Sequence, residues 1–265
     1  MKWCISTDGK VPMTEDKIRR KGEKWQREVY NTFKASHNLG SIVNIHAEDL
    51  ELDDRYFNIM FYSFPCTSLS VSGKGEGMEK GSGTASSLLW ECERILKECS
   101  KMGVLPDLCM MENVAQVHAA KNLHNWEIWL HTLEDLGYKN YYQDLNAKNY
   151  GVAQNRNRTF MISLLSDKLY SFPDEIVLNK RLKDYLEPTV DEKYYINTPK
   201  AAELINKLIQ DEKLEELPTD KPLGNLTPAD NEKIHQRNFV FNENGICPTQ
   251  TATQYKDSPR VMISE

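Results

Sequence analysis

The feature that most constrains this chain is an alternation between residues 58 and 164, where short apolar runs are separated by helix-length stretches with one apolar side. Asn58-Ile-Met-Phe-Tyr-Ser63 is such a run, and Phe64-Pro65 stops it as a turn stops a buried strand. The spacing predicts a helix over 86–100, with Leu88, Leu89, Cys92, Ile95 and Leu96 on one side. A second buried strand, Leu108-Cys-Met-Met111, runs directly into Glu112-Asn113-Val114. Another helix covers 122–136 and ends at Gly137, and 140–145 and 159–164 read as two further strands. Strand and helix alternating in this way predict an α/β sheet with helices on its faces. An earlier helix is expected over 14–36, capped by Thr14, with Trp25, Val29 and Phe33 set among charged residues. Beyond residue 166 the pattern loosens into short amphipathic pieces, prolines and acidic loops, so 1–166 is expected to form one domain and 167–265 a second, less regular region.

Composition narrows the function classes. The 265 residues suffice for one large domain or a core with a smaller lobe. No apolar run approaches the roughly 18–20 residues needed to cross a bilayer, and the N-terminus lacks a signal-peptide core. No membrane partner is therefore expected, and the expected location is the cytoplasm. Six cysteines stand at 4, 66, 92, 99, 109 and 247, without CxxC pairs or zinc-finger spacing. No metal is expected, and the default for each thiol is reduced and buried. The net charge of −6 argues against a nucleic-acid partner until its distribution is considered. Residues 17–34 carry seven basic side chains against two acidic, and 139–184 carry eight against five, whereas 202–220 is mostly acidic. Solvated helix faces account equally well for such runs.

Three clusters lie at the C-terminal ends of the expected strands, where open α/β sheets hold their ligands. The first is Ser63-Phe-Pro-Cys-Thr-Ser-Leu-Ser70, followed by a loop containing Gly73, Gly75, Gly77, Gly81 and Gly83. A cysteine just past a buried strand and before a mobile loop is placed as an exposed nucleophile, although Pro-Cys alone also suits an inert thiol in a turn. The second is Glu112-Asn113, where a carboxylate is costly without a partner or a task; a helix cap with the acid in water is the plainer alternative. The third is Gln154-Asn-Arg156-Asn-Arg158, just before the last strand. On an extended segment Gln154, Arg156 and Arg158 share a face, and two guanidiniums together suit phosphate, carboxylate or base-edge recognition, or simply a wet surface.

The conjunction of Pro-Cys, Glu-Asn-Val and Gln-x-Arg-x-Arg, in this order and each at a strand end, resembles the DNA cytosine-5 methyltransferases. Supporting matches are Gly81-Ser-Gly-Thr84 with Ser86-Ser-Leu-Leu-Trp-Glu91, Leu145-Asn-Ala-Lys-Asn-Tyr-Gly151, Arg181-Leu-Lys-Asp-Tyr-Leu186 and Gly245-Ile-Cys-Pro-Thr249. The resemblance covers residues 36–265 and is strongest to bacterial and phage restriction–modification enzymes. It implies a Rossmann-like class I methyltransferase core and a target-recognition region within 167–240. It also implies methyl transfer from S-adenosyl-L-methionine to carbon 5 of cytosine in double-stranded DNA, with the target base flipped into the site. Cys66 matches the nucleophile and Glu112 the group that acts at ring nitrogen 3. Arg156 and Arg158 match the residues expected at the base, the thiolate or a nearby phosphate. Pro65 and Asn113 are expected on the cofactor side, and Thr67, Ser70, Gly73 and Gln154 at the DNA.

The resemblance also has gaps. The family's Phe-x-Gly-x-Gly turn and ribose-holding acid find no match here, and neither does the Leu-Thr-x-x-Glu segment beyond Glu265. The core is therefore expected to be incomplete, lacking the N-terminal donor-binding strands, and to depend on a complementary chain or to be poorly soluble. Thr67, Ala85 and Ala153 stand where relatives commonly carry Gln, Arg and Pro. The competing readings are a catalytically silent DNA-binding relic, half of a split enzyme, and an unrelated thiol enzyme pairing Cys66 with His118, His124 or His131.

Overall fold

The computed structural model describes residues 13–69, 76–210, 220–227, 238–250 and 259–263. Along the chain run α1 (Glu15–Arg19), α2 (Gly22–Ala35), β1 (Ile59–Tyr62), α3 (Leu89–Lys101), β2 (Leu108–Asn113), α4 (Leu123–Asp135), β3 (Lys139–Asn146), β4 (Gln154–Asn155) and β5 (Asn157–Leu164). They are followed by α5 (Pro199–Gln210), β6 (Gly224–Asn225), β7 (Phe239–Asn242), β8 (Cys247–Pro248) and β9 (Arg260–Met262). The α/β reading holds. The helix expected over 14–36 is two helices, because Gly22 takes φ +77°, a left-handed turn that other residues resist. Thr14 caps α1 as expected, its hydroxyl accepting from the Lys17 amide at 3.4 Å.

The chain divides into two compact units, residues 1–143 with 159–171, and residues 144–158 with 172–265. Residues 144–158, expected within the first domain, thus group with the second unit. A four-stranded sheet runs in the order β1-β2-β5-β3. β1 and β2 pair in parallel with Tyr62 opposite Met111, and β5 runs antiparallel to β2 with Asn113 opposite Thr159. Strand β2 alternates half-buried and buried residues, placing Cys109, Met111 and Asn113 inward, while Glu112 falls on the other side. Trp126, Trp129, Met78, Leu89, Leu96, Met111, Leu133 and Met161 are fully buried here. Each such side chain contributes about 1.5–3 kcal/mol of transfer free energy. Trp129 Nε1 donates to the Tyr62 hydroxyl at 3.1 Å, so the aromatic core leaves neither polar group of that pair stranded.

β1 was expected to be a buried strand, and the structure corrects this. Among the described residues it has a sheet neighbour on one side only, and its residues alternate, with Phe61 69 % exposed and Tyr62 9 %. Tyr56, Phe57 and Ile59 are exposed beside it. An apolar run four to six residues long looks the same whether a strand is central or at an edge, which is why the sequence misled.

In the second unit, β4 pairs in parallel with β8, and β6-β7-β9 form a separate three-stranded sheet. Leu182, Phe241 and Cys247 form one small buried cluster and Ala201, Leu226 and Val240 another. Apart from β4, these short strands lie beyond residue 166, in the stretch that reads as loosely patterned. No helix of the described residues is long and apolar enough to cross a membrane.

The segment entering the first unit is anchored electrostatically. Arg94 on α3 donates to the carbonyls of Ile42 and Ile45 at 3.0 and 2.8 Å and to Glu98 at 2.8 Å. Glu98 in turn accepts from the Ala47 amide at 3.1 Å. The Arg94 hydrogen bond, helped by the Ala47 amide and His46, holds the Glu98 carboxyl down at about 2 against an ordinary 4.5. A carboxyl depressed by folding stabilises the fold above its unfolded value and loses that contribution as pH falls through the folded value. Amide exchange around Ala47 is therefore expected to accelerate as pH drops from about 4.5 towards 2, beyond the intrinsic pH dependence, and Glu98→Gln should remove that extra dependence.

Candidate functional site

The site is built where β1 and β2 end side by side. Their parallel register puts Tyr62 opposite Met111, so the residues that follow, Ser63 and Glu112, point to the same side. The Ser63 hydroxyl donates to Glu112 Oε2 at 3.1 Å. Glu112 is half-buried, on the face of β2 turned away from the aromatic core. The expected alternative, Asn113 capping a helix with Glu112 in open water, does not describe this arrangement.

Asn113 is 1 % exposed and uses both ends of its amide. Its Nδ2 donates to the Phe64 carbonyl at 3.0 Å, and its Oδ1 accepts from the Val114 amide at 2.8 Å. The first bond ties the end of β2 to the residue before Pro65. The next carbonyl, that of Pro65, accepts from the buried Ser86 hydroxyl at 2.5 Å. The one after, that of Cys66, accepts from the Leu69 amide at 3.0 Å. Three successive carbonyls, 64 to 66, are thus each held by a different donor. A turn fixed at three points holds the direction of the Cys66 Cα–Cβ bond, which is the preorganisation a nucleophile needs.

Cys66 differs from the other described thiols in its surroundings. It is half-buried, whereas Cys92, Cys99, Cys109 and Cys247 are buried. Burial pushes the thiols of Cys92 and Cys109 up to about 12, and raises those of Cys99 and Cys247 as well. Desolvation keeps these four protonated and inert, so accessibility singles out Cys66 among the described cysteines. Cys4 lies outside the described residues.

Beyond Cys66, the chain is fixed again on the far side of the glycine-containing stretch. The Gly77 amide donates to the Ser68 carbonyl at 3.0 Å, Thr84 Oγ1 to the Gly77 carbonyl at 3.1 Å, and Trp90 Nε1 to the Met78 carbonyl at 2.8 Å. Glu93 is buried and receives Lys80 and Lys97 at 2.5 and 2.6 Å. Burial pushes its carboxyl up, but the hydrogen bonds and charges of the two ammonium groups outweigh that and leave it lowered. Thr67 is exposed; Ser70 and Gly73 lie outside the described residues.

Gln154, Arg156 and Arg158 belong to the second unit. Period-two alternation does not run through them as expected. The Arg156 amide donates back to the Gln154 carbonyl at 3.1 Å, a three-residue turn separating β4 from β5. That amide also reaches Asn146 Oδ1 at 3.1 Å, and the Arg156 carbonyl accepts from Ala147. The Arg156 guanidinium donates to the Gln250 carbonyl at 3.4 Å and that of Arg158 to the Asn157 carbonyl at 2.7 Å. Of the histidines considered for a thiol enzyme, His118 packs at a tilt against Trp126 and Tyr142, with ring centroids 6.1 and 5.7 Å away, and His131 bonds Glu134 at 3.0 Å.

Pro65 and Asn113, expected beside the cofactor, offer a fixed main-chain turn. Proline has no N–H, its carbonyl is taken by Ser86, and the Asn113 amide is spent inside the protein. Sequence reading gave Ser63 and Ser86 no role in the site. Ser63 becomes visible only from the β1–β2 register, and Ser86 only from the fold-back of the segment before α3.

Comparison with known proteins agrees with this construction. Residues 14–258 match the family model for C-5 cytosine-specific DNA methylase. The type II methyltransferase M2.ScrFI of Lactococcus lactis subsp. cremoris is 37 % identical over 183 residues, covering 69 % of this chain and 48 % of the relative. The orphan methyltransferase M.SssI of Spiroplasma monobiae is 32 % identical over 250 residues, covering 94 % of this chain and 61 % of the relative. The chain therefore spans about half to three fifths of the length of these relatives. Among solved structures, the Entamoeba histolytica methyltransferase EhMeth superposes with a TM-score of 0.52 at 15 % identity, over 83 % of this chain and 57 % of that one. The S. pombe Dnmt2 methyltransferase superposes at 0.51 and 16 % identity, over 85 % and 62 %. These two likenesses show a shared fold. The family match over residues 14–258 establishes that the chain belongs to the C-5 cytosine-specific DNA methylases.

Proposed function

We propose that this chain carries the base-activating part of an enzyme that methylates carbon 5 of cytosine in duplex DNA, with Cys66 as nucleophile and Glu112 as the acid at ring nitrogen 3. The observation that supports this most is the turn at 64–66, held at three successive carbonyls, which ends in the half-buried thiol of Cys66. An inert structural thiol has no use for such a turn, and the four buried cysteines show what inert thiols look like in this protein.

Carbon 5 of cytosine is a poor nucleophile. Attack of the Cys66 thiolate on carbon 6 forms the S–C6 bond and shifts the C5–C6 π electrons into the ring. A proton delivered by Glu112 to nitrogen 3 neutralises the charge that would otherwise build there. Carbon 5 is then an enamine carbon, able to take an electrophile. In this family the electrophile is generally the sulfonium methyl of S-adenosylmethionine. Loss of the carbon 5 proton and departure of the thiolate restore the aromatic ring. Because the target lies inside a duplex, the base is flipped into the site, and Thr67, Ser70, Gly73 and Gln154 are assigned to the DNA. Arg156 and Arg158 are assigned to the base or a neighbouring phosphate, roles suited to guanidinium groups.

The open edge of β1, with Tyr56, Phe57, Ile59 and Phe61 exposed, supports a second element of the reading. A further strand covers that edge and brings the donor-binding groups, supplied elsewhere in the same polypeptide or by a second chain.

Adduct formation can be read without any donor, since the enamine can also be protonated at carbon 5 and revert. Duplex DNA carrying tritium at cytosine carbon 5 is therefore expected to lose label to water in the presence of this protein, and Cys66→Ser should abolish the loss. If label is released equally by Cys66→Ser, the assignment of the nucleophile fails. Glu112→Gln, which keeps the shape and removes the acid, is expected to slow release by about 10²–10⁴-fold. Ser63→Ala removes only the hydrogen bond to Glu112 and should cost about tenfold, the equivalent of roughly 1.4 kcal/mol.

A further inference from the structure

The α1–α2 hairpin carries none of the residues assigned to the chemistry above. None of its helical residues is buried. On α2, Trp25, Val29 and Phe33 recur every fourth residue and are half-buried, forming the apolar stripe of the helix. The opposite side carries Lys24, Arg27, Asn31 and Lys34, all exposed, at the i, i+3, i+7, i+10 spacing of one helix face. Lys17, Arg19, Arg20 and Lys21 extend the charge through α1 and the corner, where Gln26 Nε2 bonds the carbonyls of Ile18 and Arg19 at 3.3 and 3.4 Å.

Residues 15–35 hold seven basic side chains against four acidic, within a chain of net charge −6. Two of the acids spend their charge locally, Glu15 on Arg19 at 2.8 Å and Glu23 on Arg27 at 2.6 Å, with both arginines more than 70 % exposed. Exposed i,i+4 pairs of this kind are worth only a few tenths of a kcal/mol, so a phosphate displaces the carboxylate at little cost. Lys17, Arg20 and Lys24 form no ion pair among the described residues. So many exposed cations gathered on one face of an acidic protein make a local surface of the sign a polyanion meets.

We propose that the α1–α2 hairpin is a second, sequence-independent docking surface for duplex DNA, its basic face lying along the phosphate backbone away from the reacting base. This inference rests on the reading of the chain as a DNA-modifying protein. Geometry fits the partner: ten residues of helix from Lys24 to Lys34 span about 15 Å, and duplex DNA presents a charge about every 1.7 Å of its axis, so the face meets several phosphates at once. Asn31 in the middle of the face adds an uncharged donor for a phosphate oxygen.

The test compares the full chain with the triple variant Lys24→Gln, Arg27→Gln, Lys34→Gln, using fluorescence anisotropy on a labelled duplex of arbitrary sequence over a range of salt concentrations. None of the three side chains is buried, so the variant is expected to fold, and circular dichroism checks this. The slope of log affinity against log salt is expected to become shallower by about 2–3, since each phosphate contact contributes about 0.9. A control variant with the same change of net charge on other exposed lysines of the first unit (Lys101, Lys121 and Lys168, each to Gln) should change the slope by less than about 1. An unchanged slope in the helix variant overturns the proposal. So does an unchanged slope accompanied by altered sedimentation, which would assign the face to a protein partner or a second copy. If the wild-type chain binds no duplex at all, the DNA-modifying reading fails first and carries the inference with it.

Discussion

The parallel pairing of β1 with β2, fastened at its end by Asn113, is the constraint on which the rest of the site depends. A parallel register fixes which residues emerge together at the strand ends, and here it brings out Ser63 with Glu112 and directs Asn113 towards the Phe64 carbonyl. A buried amide with both ends bonded is expensive to disturb, because a broken bond leaves a desolvated polar group worth about 1–3 kcal/mol. The strand ends are therefore held more firmly than hydrophobic packing alone would hold them. Loops that carry reactive groups are ordinarily among the less stable parts of a fold, and this turn gains its rigidity from main-chain carbonyls, leaving the side chain of Cys66 uncommitted.

The same economy explains the distribution of cysteines. Four of the described thiols are packed in apolar surroundings and pushed away from ionisation, and only Cys66 sits on an element that is exposed on one side and fixed on the other. A protein core tolerates cysteine as a small hydrophobe, so cysteine content says nothing of chemistry until burial separates the packed ones from the reachable one. Position relative to a strand end, more than residue type, makes a cysteine a candidate.

Much of this was legible in the sequence, and what was not has identifiable physical causes. The α3, β2, α4, β3 and β5 elements follow from hydrophobic periodicity and from Gly137 as a C-terminal cap, all of which are local signals. Pro65-Cys66 and Glu112-Asn113 were readable as strand-end clusters because strands end at turn residues. The edge position of β1 was not, since neighbours in a sheet are a property of topology and not of the four residues in the strand. The break between Gln154 and Arg158 was hidden for a related reason. An extended segment and a turn of the Arg156-to-Gln154 kind contain the same residues, and the choice between them is made by Asn146 and by pairing with Cys247–Pro248, about 90 residues away. Gly22 carried a local signal that the run of helix formers around it masked.

The residues singled out by the sequence stand on differently held main chain in the two units. Cys66 and Glu112 stand at strand ends of the first unit's sheet, where hydrogen bonds from residues distant in sequence hold the Pro65 carbonyl and the Glu112 carboxylate. Arg156 and Arg158 fall in the second unit, Arg156 on the turn between β4 and β5 and Arg158 on β5 itself, and their guanidiniums donate to the carbonyls of Gln250 and Asn157. A position tied down by bonds from several elements of the fold is held more firmly than one tied by local bonds alone, and that is the preorganisation chemistry at a fixed point requires.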